Sequence, residues 1–509
     1  MLVTDFLLQS TQDYASKLAL VTEEGRFTYS ELDDMSNQSA YALISLGVKK
    51  GDRIVIFLDN CLEAVVSIFG ILKAGAVFSV INYTTKANKL QFMLNNCQAK
   101  VLISHRDKLP LIHSIIGNTP HLAGIILKEK NNSGVQRPVL SFKDIFSNHS
   151  TQGSHKSIID IDLAALIYTS GTTGNPKGVM LTHLNMVAAA TSITQYLENI
   201  NSDIILNVLP LSFDYGLYQI LMGFKIGGTV VLEKSLNYPY EIIKKLVNEK
   251  VTGFPIVPTI ASILLQLKDL SKFDFNHLRY ISNTAAHLPT AHIMKLQQIF
   301  PKTKIYLMYG LTECKRVSYL PPDQLVNRPN SVGKAMPNIE VYIVDSSGKR
   351  VKSGEIGELV VRGSNVMQGY WQMPEETKLM LKAGKYPWEK ILYTGDLFKM
   401  DQEGYLYFVA RKDDIIKCKG EKVSPKEIEN ILYMMSEIAE AAVVGVEDNI
   451  FGQAIKAYVV PSDGKILDEH KIRQHCCQHL EDYMIPSFIE IVNSLPKTDS
   501  GKIKKTVIN

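Results

Sequence analysis

The residues best suited to chemistry form the stretch 168–178, which reads YTSGTTGNPKG. Its glycines let backbone N–H groups approach an anion closely, and its hydroxyls and Lys177 add donors and a positive charge. The stretch lacks the spacing of the nucleotide-binding P-loop, because Gly174 and Gly178 straddle the lysine. The apolar run 163–168 comes directly before it and predicts a strand that delivers the chain into a loop. We therefore expect a phosphate-holding loop; the alternative, a flexible surface loop, explains so ordered a series of glycines and hydroxyls less well.

Length and composition limit the class of protein in which this loop is found. The 509 residues allow several domains, and 46% hydrophobic with 21% charged residues is typical of a soluble globular protein. The net charge of +4 comes from balanced signs, which gives no electrostatic reason to expect a nucleic-acid partner. No apolar stretch reaches the roughly 18–20 uncharged residues of a membrane helix, and the N-terminus lacks the basic start of a signal peptide. We expect a cytoplasmic protein without a membrane span.

The cysteines and histidines offer one further hypothesis. The six cysteines follow no disulfide spacing, which fits a reducing compartment. His475 and His479 would share one face of a helix, so a metal site there is conceivable. The alternative is an ordinary amphipathic helix over 468–483, and the absence of a second ligand pair nearby in sequence favours it.

The pattern along the chain indicates an α/β protein of two unequal parts. Apolar strand-like runs alternate with helical stretches up to about residue 320, whereas 128–158 is polar and predicts a loop. The tract 338–409 is rich in glycine and strand-like runs, which suggests a β-rich subdomain. A compact α/β unit follows, whose first helix is predicted to begin with Ser424 as N-cap and Glu427 completing a capping box.

Five further segments make the interpretation of the loop specific. They are YGLTE at 309–313, GSNVMQGYW at 363–371, YTGDL at 393–397, ARKDDIIKCKGEKVSPKEIE at 410–429 and PKTDSGKIKK at 496–505. With the phosphate loop they resemble, in order and over essentially the full chain, the AMP-forming adenylating enzymes: acyl-CoA synthetases, peptide-synthetase adenylation domains and luciferases. The chain is most similar to stand-alone bacterial acyl-CoA ligase-like proteins. The resemblance implies an AMP-binding domain at 1–409 with the β-rich subdomain at 338–409, a hinge at 410–413 and a mobile α/β lid domain at 414–509.

The resemblance also implies a reaction. Such enzymes join a small carboxylic acid to ATP as acyl-AMP, release pyrophosphate, and pass the acyl group to CoA as a thioester. One alternative is an amino-acid or acyl ligase that loads the phosphopantetheine of an acyl carrier protein. An alternative of another class is a non-catalytic protein that binds ATP or acyl-adenylate, against which the retention of Lys502, Glu313 and Arg411 argues. Oxidative luciferase chemistry shares the motifs.

By resemblance, ATP binding falls on positions in five segments. These positions are Thr169, Ser170, Gly171, Thr172, Thr173, Gly174, Lys177, Thr284, Ala285, Tyr309, Asp396 and Arg411. The loop would hold the β- and γ-phosphates, Tyr309 would lie along the adenine ring, and Asp396 and Arg411 would contact the ribose. For Asp396 and Arg411 the alternative is a surface ion pair. The adenine edge at 282–286 reads SNTAA, with less glycine than relatives carry.

The chemistry itself brings together two anions, the carboxylate and the α-phosphate, so the site must neutralise charge. By resemblance, Lys502 bridges the two, Thr312 donates to the α-phosphate, and Glu313 holds Mg²⁺, a hard ion that prefers carboxylate oxygen. Asp413 falls on the hinge position and Gly420 in the channel used for thioester formation. The alternatives are a solvated lysine in a basic tail for Lys502 and a helix-capping acid for Glu313.

The identity of the acid is left open by the sequence. By resemblance, the acyl pocket is lined by Asp214, Tyr215, Tyr218, Met308 and Arg316. In amino-acid-activating relatives the residue matching Asp214 pairs with the substrate ammonium; the alternative is an acid at the N-terminus of a helix. We favour the helix position, because the SPKEIE segment after the hinge is of the acyl-CoA type. Arg316 is placed to meet a second substrate carboxylate.

Overall fold

The fold is described from a computed structural model, which covers residues 1–129, 137–153, 157–169, 175–412, 414–418, 421–448, 452–498 and 502–508. Seven of the predicted site residues lie outside the described residues: Ser170, Gly171, Thr172, Thr173, Gly174, Asp413 and Gly420.

Helices and strands alternate along most of the described chain. The helices are α1 (Asp5–Tyr14), α2 (Tyr29–Ser45), α3 (Leu62–Lys73), α4 (Ala87–Asn96), α5 (Leu109–Ile115), α6 (Phe142–Asn148), α7 (His183–Tyr196), α8 (Asp214–Lys225), α9 (Pro239–Asn248), α10 (Pro258–Gln266), α11 (Thr290–Ile299), α12 (Pro374–Met380), α13 (Pro425–Leu432) and α14 (Glu469–His479). The strands are β1 (Leu18–Val21), β2 (Arg26–Thr28), β3 (Arg53–Phe57), β4 (Val77–Val80), β5 (Val101–Ser104), β6 (Gly124–Leu127), β7 (Val139–Ser141), β8 (Leu163–Thr169), β9 (Lys177–Thr182), β10 (Ile204–Asn207), β11 (Thr229–Leu232), β12 (Gly253–Ile256), β13 (Tyr280–Asn283), β14 (Lys304–Tyr309), β15 (Ser318–Leu320), β16 (Lys334–Ala335), β17 (Ile339–Val344), β18 (Gly357–Gly363), β19 (Gly369–Tyr370), β20 (Leu381–Ala383), β21 (Lys390–Met400), β22 (Leu406–Arg411), β23 (Ile416–Cys418), β24 (Glu421–Val423), β25 (Ile438–Asp448), β26 (Gly452–Pro461) and β27 (Phe488–Ile491).

Two large sheets form the N-terminal part. Within the described residues, one has the order β16-β15-β14-β13-β12-β10-β11-β1-β2 and the other the order β19-β9-β8-β4-β3-β5-β6-β7. Pairs such as β13 with β14 and β3 with β4 are parallel, and parallel strands need crossover helices that cover both faces of a sheet. The predicted α/β class, with a large N-terminal part and a smaller C-terminal one, is confirmed.

Helix α3 joins the two sheets into one body. All of its residues from Leu62 to Leu72 are buried except Glu63, as a helix that is apolar on every side requires. The core cluster that contains this helix also takes in Ile54 of β3 in one sheet and Val230 of β11 in the other.

Two smaller sheets follow in the chain. Strands β17, β18, β21, β20 and β22 form a sheet that begins in the predicted β-rich tract 338–409 and extends two residues past it, to Arg411. Strands β23 to β27 form the C-terminal sheet. Helices α13 and α14 pack beside the C-terminal sheet over a core of its own, which includes Ile428, Val443 and Ile472. The domain bounds themselves stay a prediction. Among the helices of the described ranges, none combines the length and apolarity that crossing a bilayer requires.

Two local predictions were wrong. The Ser424 side chain makes no cap hydrogen bond at α13, because its Oγ donates to the Val409 carbonyl at 2.6 Å instead. The polar stretch 128–158, predicted as loop, contains β7 and the short helix α6.

Candidate active site

The phosphate loop joins two antiparallel strands. Strand β8 ends at Thr169 and β9 begins at Lys177, and these two residues are paired in the register of the hairpin. Strand β19 then pairs with the other side of β9, with Tyr370 opposite Val179. The pairing brings the GSNVMQGYW segment beside the loop, and the Lys177 ammonium lies 5.4 Å from the centre of the Tyr370 ring. A cation is therefore held at the edge of the loop against an aromatic face.

Tyr370 also contacts the carboxylate predicted to hold the metal. Its hydroxyl donates to Glu313 Oε1 at 2.7 Å, and burial together with this carboxylate raises the pKa of Tyr370. The backbone of the same segment fixes Glu313 further, since Met367 N donates to the Glu313 carbonyl at 2.8 Å. Glu313 and Lys177 are thus brought to one aromatic ring. Sequence reasoning assigned no role to Tyr370, although the residue lies inside the GSNVMQGYW motif.

Tyr309, Asp396 and Arg411 form one connected group. Tyr309 ends β14, and its hydroxyl donates to Asp396 Oδ2 at 2.5 Å, while its ring meets Phe398 edge-on at 4.8 Å. Asp396 is buried and Arg411 Nε lies 3.3 Å from its Oδ1. Burial raises the pKa of Asp396, against the opposite effect of Arg411 and Tyr309. Oδ1 is sheltered from solvent and has no hydrogen-bond partner among the described residues, so it is available to an incoming hydroxyl donor.

The predicted adenine edge follows the carboxyl end of β13, where ligands commonly bind in open α/β sheets. Thr284 is buried, and its Oγ1 finds no hydrogen-bond partner within the described chain. Ala285 has a φ of 77°, in the left-handed region that favours glycine. This backbone explains why relatives place glycine in the segment that reads SNTAA here, and it strains the alanine modestly.

Lys502 reaches this group from the C-terminal part of the chain. Burial lowers the pKa of its ammonium, which otherwise feels chiefly Asp214, then Arg411, Asp396 and Glu313. Its backbone N–H bonds Thr498 Oγ1 at 3.1 Å, which holds the turn in place. The lysine is therefore half-buried and feels the charges of other predicted site residues, unlike the exposed Lys504 of the same tail. Thr312 lies in the turn that directly follows β14.

The predicted acyl-pocket residues include the cation of Arg316, and the structure adds a second buried cation beside it, Lys315. Asp214 begins α8 without capping it by a side-chain hydrogen bond, and its Oδ2 lies 3.5 Å from Lys315 Nζ. Lys315 is 2% exposed and sits 4.8 Å from the Tyr218 ring. Burial lowers the pKa of Lys315, with Asp214 acting against it. Arg316 is 5% exposed, and its guanidinium lies 4.6 Å from the Tyr215 ring.

The two tyrosines and Met308 close this region. Tyr215 donates to the Ser282 carbonyl at 2.7 Å, whereas the buried Tyr218 hydroxyl has no hydrogen-bond partner among the described residues. Met308 is buried in β14 and its sulfur accepts from Tyr196 Oη at 2.9 Å.

The segment that carries the two cations is fixed by its backbone. Lys315 has a φ of 66°, and a Cβ at Gly310 would lie 2.0 Å from the Lys315 carbonyl oxygen, so the fold-back requires glycine there. The buried Asn365 donates to the carbonyls of Cys314 at 2.6 Å and Arg316 at 3.1 Å. Sequence reasoning missed Lys315 and Asn365. The only signal for Lys315 was its place beside Arg316, two residues after Glu313.

The histidine pair on α14 is engaged with backbone. His475 Nε2 lies 3.0 Å from the Ile431 carbonyl, and His479 Nδ1 lies 2.9 Å from the His475 carbonyl. These contacts fit the amphipathic-helix alternative, and the helix ends at His479, earlier than the predicted residue 483.

Similarity to known proteins covers nearly the whole chain. Residues 7–371 match the AMP-binding enzyme family, and residues 427–502 match the C-terminal domain of AMP-binding enzymes. A long-chain-fatty-acid–CoA ligase of Escherichia coli O157:H7 is 30% identical over 535 aligned positions, which cover 98% of this chain and 93% of that protein.

Solved structures agree in fold. The anthranilate CoA ligase AuaEII in complex with anthranoyl-AMP superposes with a TM-score of 0.91 at 30% identity, over 100% of this chain and 96% of that one. The ATP-bound MatB of Rhodopseudomonas palustris superposes with a TM-score of 0.89 at 27% identity, over 100% and 98% of the two chains.

Proposed function

The chain belongs to the AMP-binding enzyme family and is an AMP-forming acid–thiol ligase, and from this premise we propose how its residues divide the reaction. In the first half-reaction a carboxylate oxygen attacks the α-phosphorus of ATP. The new O–P bond forms as the bond to pyrophosphate breaks, which leaves acyl-AMP. In the second, the thiol sulfur of CoA attacks the acyl carbon, AMP leaves with the former carboxylate oxygen, and the thiol proton is released.

The nucleoside end of ATP is held by the Tyr309 group. Tyr309 offers its ring to adenine, while its hydroxyl bond fixes the Asp396 carboxylate. Asp396 Oδ1, buried without a hydrogen-bond partner in the described residues, accepts from a ribose hydroxyl, since an unsatisfied buried carboxylate oxygen is costly. Arg411 lies beside the same oxygen and contacts the ribose from its exposed side. Thr284 Oγ1 serves the adenine edge.

The phosphates are held at the opposite side of the site. The loop 169–178, closed by β8 and β9, cradles the β- and γ-phosphates with backbone N–H groups and Lys177. Thr312 donates to the α-phosphate. Glu313 would hold Mg²⁺, because its carboxylate supplies the oxygen ligand that this ion prefers and lies against the same ring as Lys177. When bound, the ion neutralises charge on the phosphates.

Lys502 activates the acid by compensating charge. Its ammonium lies between carboxylate substrate and α-phosphate, where the pentacoordinate transition state concentrates negative charge. A lysine held in advance in a water-poor site needs no reorganisation as that charge builds, so its effect exceeds that of a solvated lysine.

For the second half-reaction we propose CoA as the acceptor, reached through the channel at Gly420 after rotation at Asp413. Both residues lie outside the described residues, and the proposal for them rests on the sequence. An acyl carrier protein is the alternative acceptor, and it predicts thioester on phosphopantetheinylated carrier and none on CoA. We also propose a cytoplasmic location, because the six cysteines follow no disulfide spacing, which fits a reducing compartment.

One observation carries the proposed roles most strongly: Lys502, a half-buried residue of the C-terminal unit, feels the charges of Asp214, Arg411, Asp396 and Glu313, which precede that unit in the chain. The test is release of pyrophosphate from MgATP that depends on an added carboxylic acid, followed by acyl-CoA formation when CoA is supplied. AMP must accumulate in step with acyl-CoA. ATP hydrolysis that is indifferent to both acid and CoA would exclude the proposed reaction.

A further inference from the structure

We propose that the acid this enzyme activates carries a second carboxylate at its far end, which pairs with the buried guanidinium of Arg316. The inference rests on the proposed function and names the substrate class of the same site. It predicts a short or aromatic dicarboxylic acid, not a long-chain fatty acid and not an α-amino acid.

The first step is the charge of Arg316. The side chain is 5% exposed, and a guanidinium stays protonated at every working pH. It contacts the Lys315 carbonyl, to which Nη1 donates at 3.0 Å, the face of the Tyr215 ring and the hydroxyl of Tyr196. No carboxylate lies within ion-pair distance in the part of the chain described, and its buried Nε has no hydrogen-bond partner there. A buried cation without an anion is strongly unfavourable, so the site is completed by an anionic ligand.

The second step excludes Asp214 as that anion and as a partner for a substrate ammonium. Its carboxylate already faces Lys315, and it is also the carboxylate that acts most strongly on Lys502. The Asp214 carboxylate thus acts on both Lys315 and Lys502. An α-amino acid would bring an ammonium into a region where cations already outnumber this carboxylate, and like charges repel one another strongly in a low-dielectric site.

The third step concerns the polar side chains that line the acyl region. The region offers two donors that no group in the described chain accepts, Arg316 Nε and the Tyr218 hydroxyl. A hydrocarbon tail would satisfy neither of them and would leave both buried without a partner, which is unfavourable. A carboxylate accepts from several donors at once, and Arg binds it through two parallel bonds. The donors therefore favour a diacid over the fatty acids named for the Escherichia coli relative.

The fourth step is position. Arg316 follows Glu313 by three residues and packs on Tyr215, while Lys502 acts on Asp214, the residue next to Tyr215. Both cations therefore lie near the first turn of α8. A molecule whose reacting carboxylate meets Lys502 would direct its far end along this turn toward Arg316.

The experiment compares symmetric acids with their monocarboxylate counterparts: succinate with butanoate, adipate with hexanoate, and isophthalate with benzoate. Palmitate and glycine represent the fatty-acid and amino-acid classes. Acid-dependent pyrophosphate release gives kcat/KM for each acid, and symmetry removes any question of which carboxylate reacts. We expect the best diacid to exceed its monoacid by at least about tenfold, since a buried charge pair contributes 1.4 kcal/mol or more.

Two variants locate the preference at the guanidinium. In Arg316→Met the ratio of diacid to monoacid kcat/KM should fall by about 100-fold, the effect of removing one partner of a buried charge pair. In Arg316→Lys the ratio should fall less, because the charge remains while the planar fork is lost. Thermal unfolding of each variant reports whether it is folded. If Arg316→Met does not fold, the wild-type ratios and Arg316→Lys decide.

The outcomes separate this inference from the proposed function. If no acid releases pyrophosphate, the proposed ligase activity itself fails. If acids turn over but palmitate, glycine or the monoacids outperform every diacid, the ligase stands and the inference is overturned. A ratio that stays within threefold of wild type in folded Arg316→Met overturns it as well.

Discussion

Replacement of Lys502 by alanine tests the division of labour in the site. The lysine is enclosed, and burial lowers the pKa of its ammonium while Asp214, Asp396 and Glu313 oppose that effect. It is therefore a preorganised charge in a water-poor site, and loss of one such stabiliser typically costs about 10²–10³ in rate, or about 2.7–4 kcal/mol of transition-state stabilisation. We expect Lys502→Ala to slow acyl-AMP formation by that factor. Thioester formation from supplied acyl-AMP and CoA should be spared, since that step involves no pentacoordinate phosphorus.

The assay measures the two half-reactions separately. Pyrophosphate release in a single turnover reports the first, and acyl-CoA formed from synthetic acyl-AMP reports the second. Lys504→Ala is a matched control, because Lys504 belongs to the same tail but is exposed. An equal loss in both half-reactions, or an equal loss in the control, would refute the assignment. The pH profile adds a check: the ammonium loses its charge as pH rises through its lowered pKa, so the alkaline fall in adenylation should begin below the ordinary lysine value, and Lys502→Arg should move it to higher pH.

Three further predictions concern the hinge, the acyl side and the contact between the two parts of the chain. Asp413→Pro fixes φ and removes a backbone donor, so adenylation should persist while thioester formation falls at least about tenfold; wild-type turnover would argue against rotation at this residue. Asp214→Asn leaves the buried Lys315 without its carboxylate and should lower the free energy of unfolding by about 2–4 kcal/mol in urea melts, most of it regained by adding Lys315→Met; a loss below about 1 kcal/mol would show that the pair does not matter. Burial lowers the pKa of His292, whose ring meets Tyr433 at 6.0 Å, to about 4. Since this lies below the unfolded value of 6.5, the neutral ring stabilises the fold above pH 6.5 and the contribution of about 1–3 kcal/mol is lost as pH falls toward 4. In His292→Phe that acid-side loss should be smaller, measured by denaturant unfolding at pH 7 and pH 4.5.

Much of the fold and of the nucleotide side could be predicted from the sequence, because its signals are local. An apolar run that stops at a cluster of glycines and hydroxyls marks a strand that ends in a loop, and β8 ends at Thr169 in this way. The YGLTE segment likewise begins at the last residue of β14, Tyr309. Each motif contains, within a few residues, both the residues that end a strand and the side chains that would bind the nucleotide.

The remainder depends on contacts between distant segments. The pairing of Asp214 with Lys315 joins residues far apart in sequence, so the helix-terminus and pocket alternatives for Asp214 could not be resolved from its neighbours. Ser424 has the residue type of an N-cap, but a competing carbonyl at Val409 takes its hydroxyl. Helix α6 forms in a polar stretch because Phe142 and Ile145 are buried against other elements, which short-range propensity does not register.

Because the C-terminal sheet has a core of its own, the C-terminal unit can be exchanged for that of a related protein. Ile428, Val443 and Ile472 pack with one another and not within the core of the large sheets, so the unit after the hinge can be recombined with its counterpart from a relative at the cost of surface contacts only. Every residue that we propose to select the acid, from Asp214 to Arg316, stays with the first part. Lys502 travels with the second. A hybrid built at residue 413 should therefore inherit its choice of acid from one parent and its balance between the two half-reactions from the other.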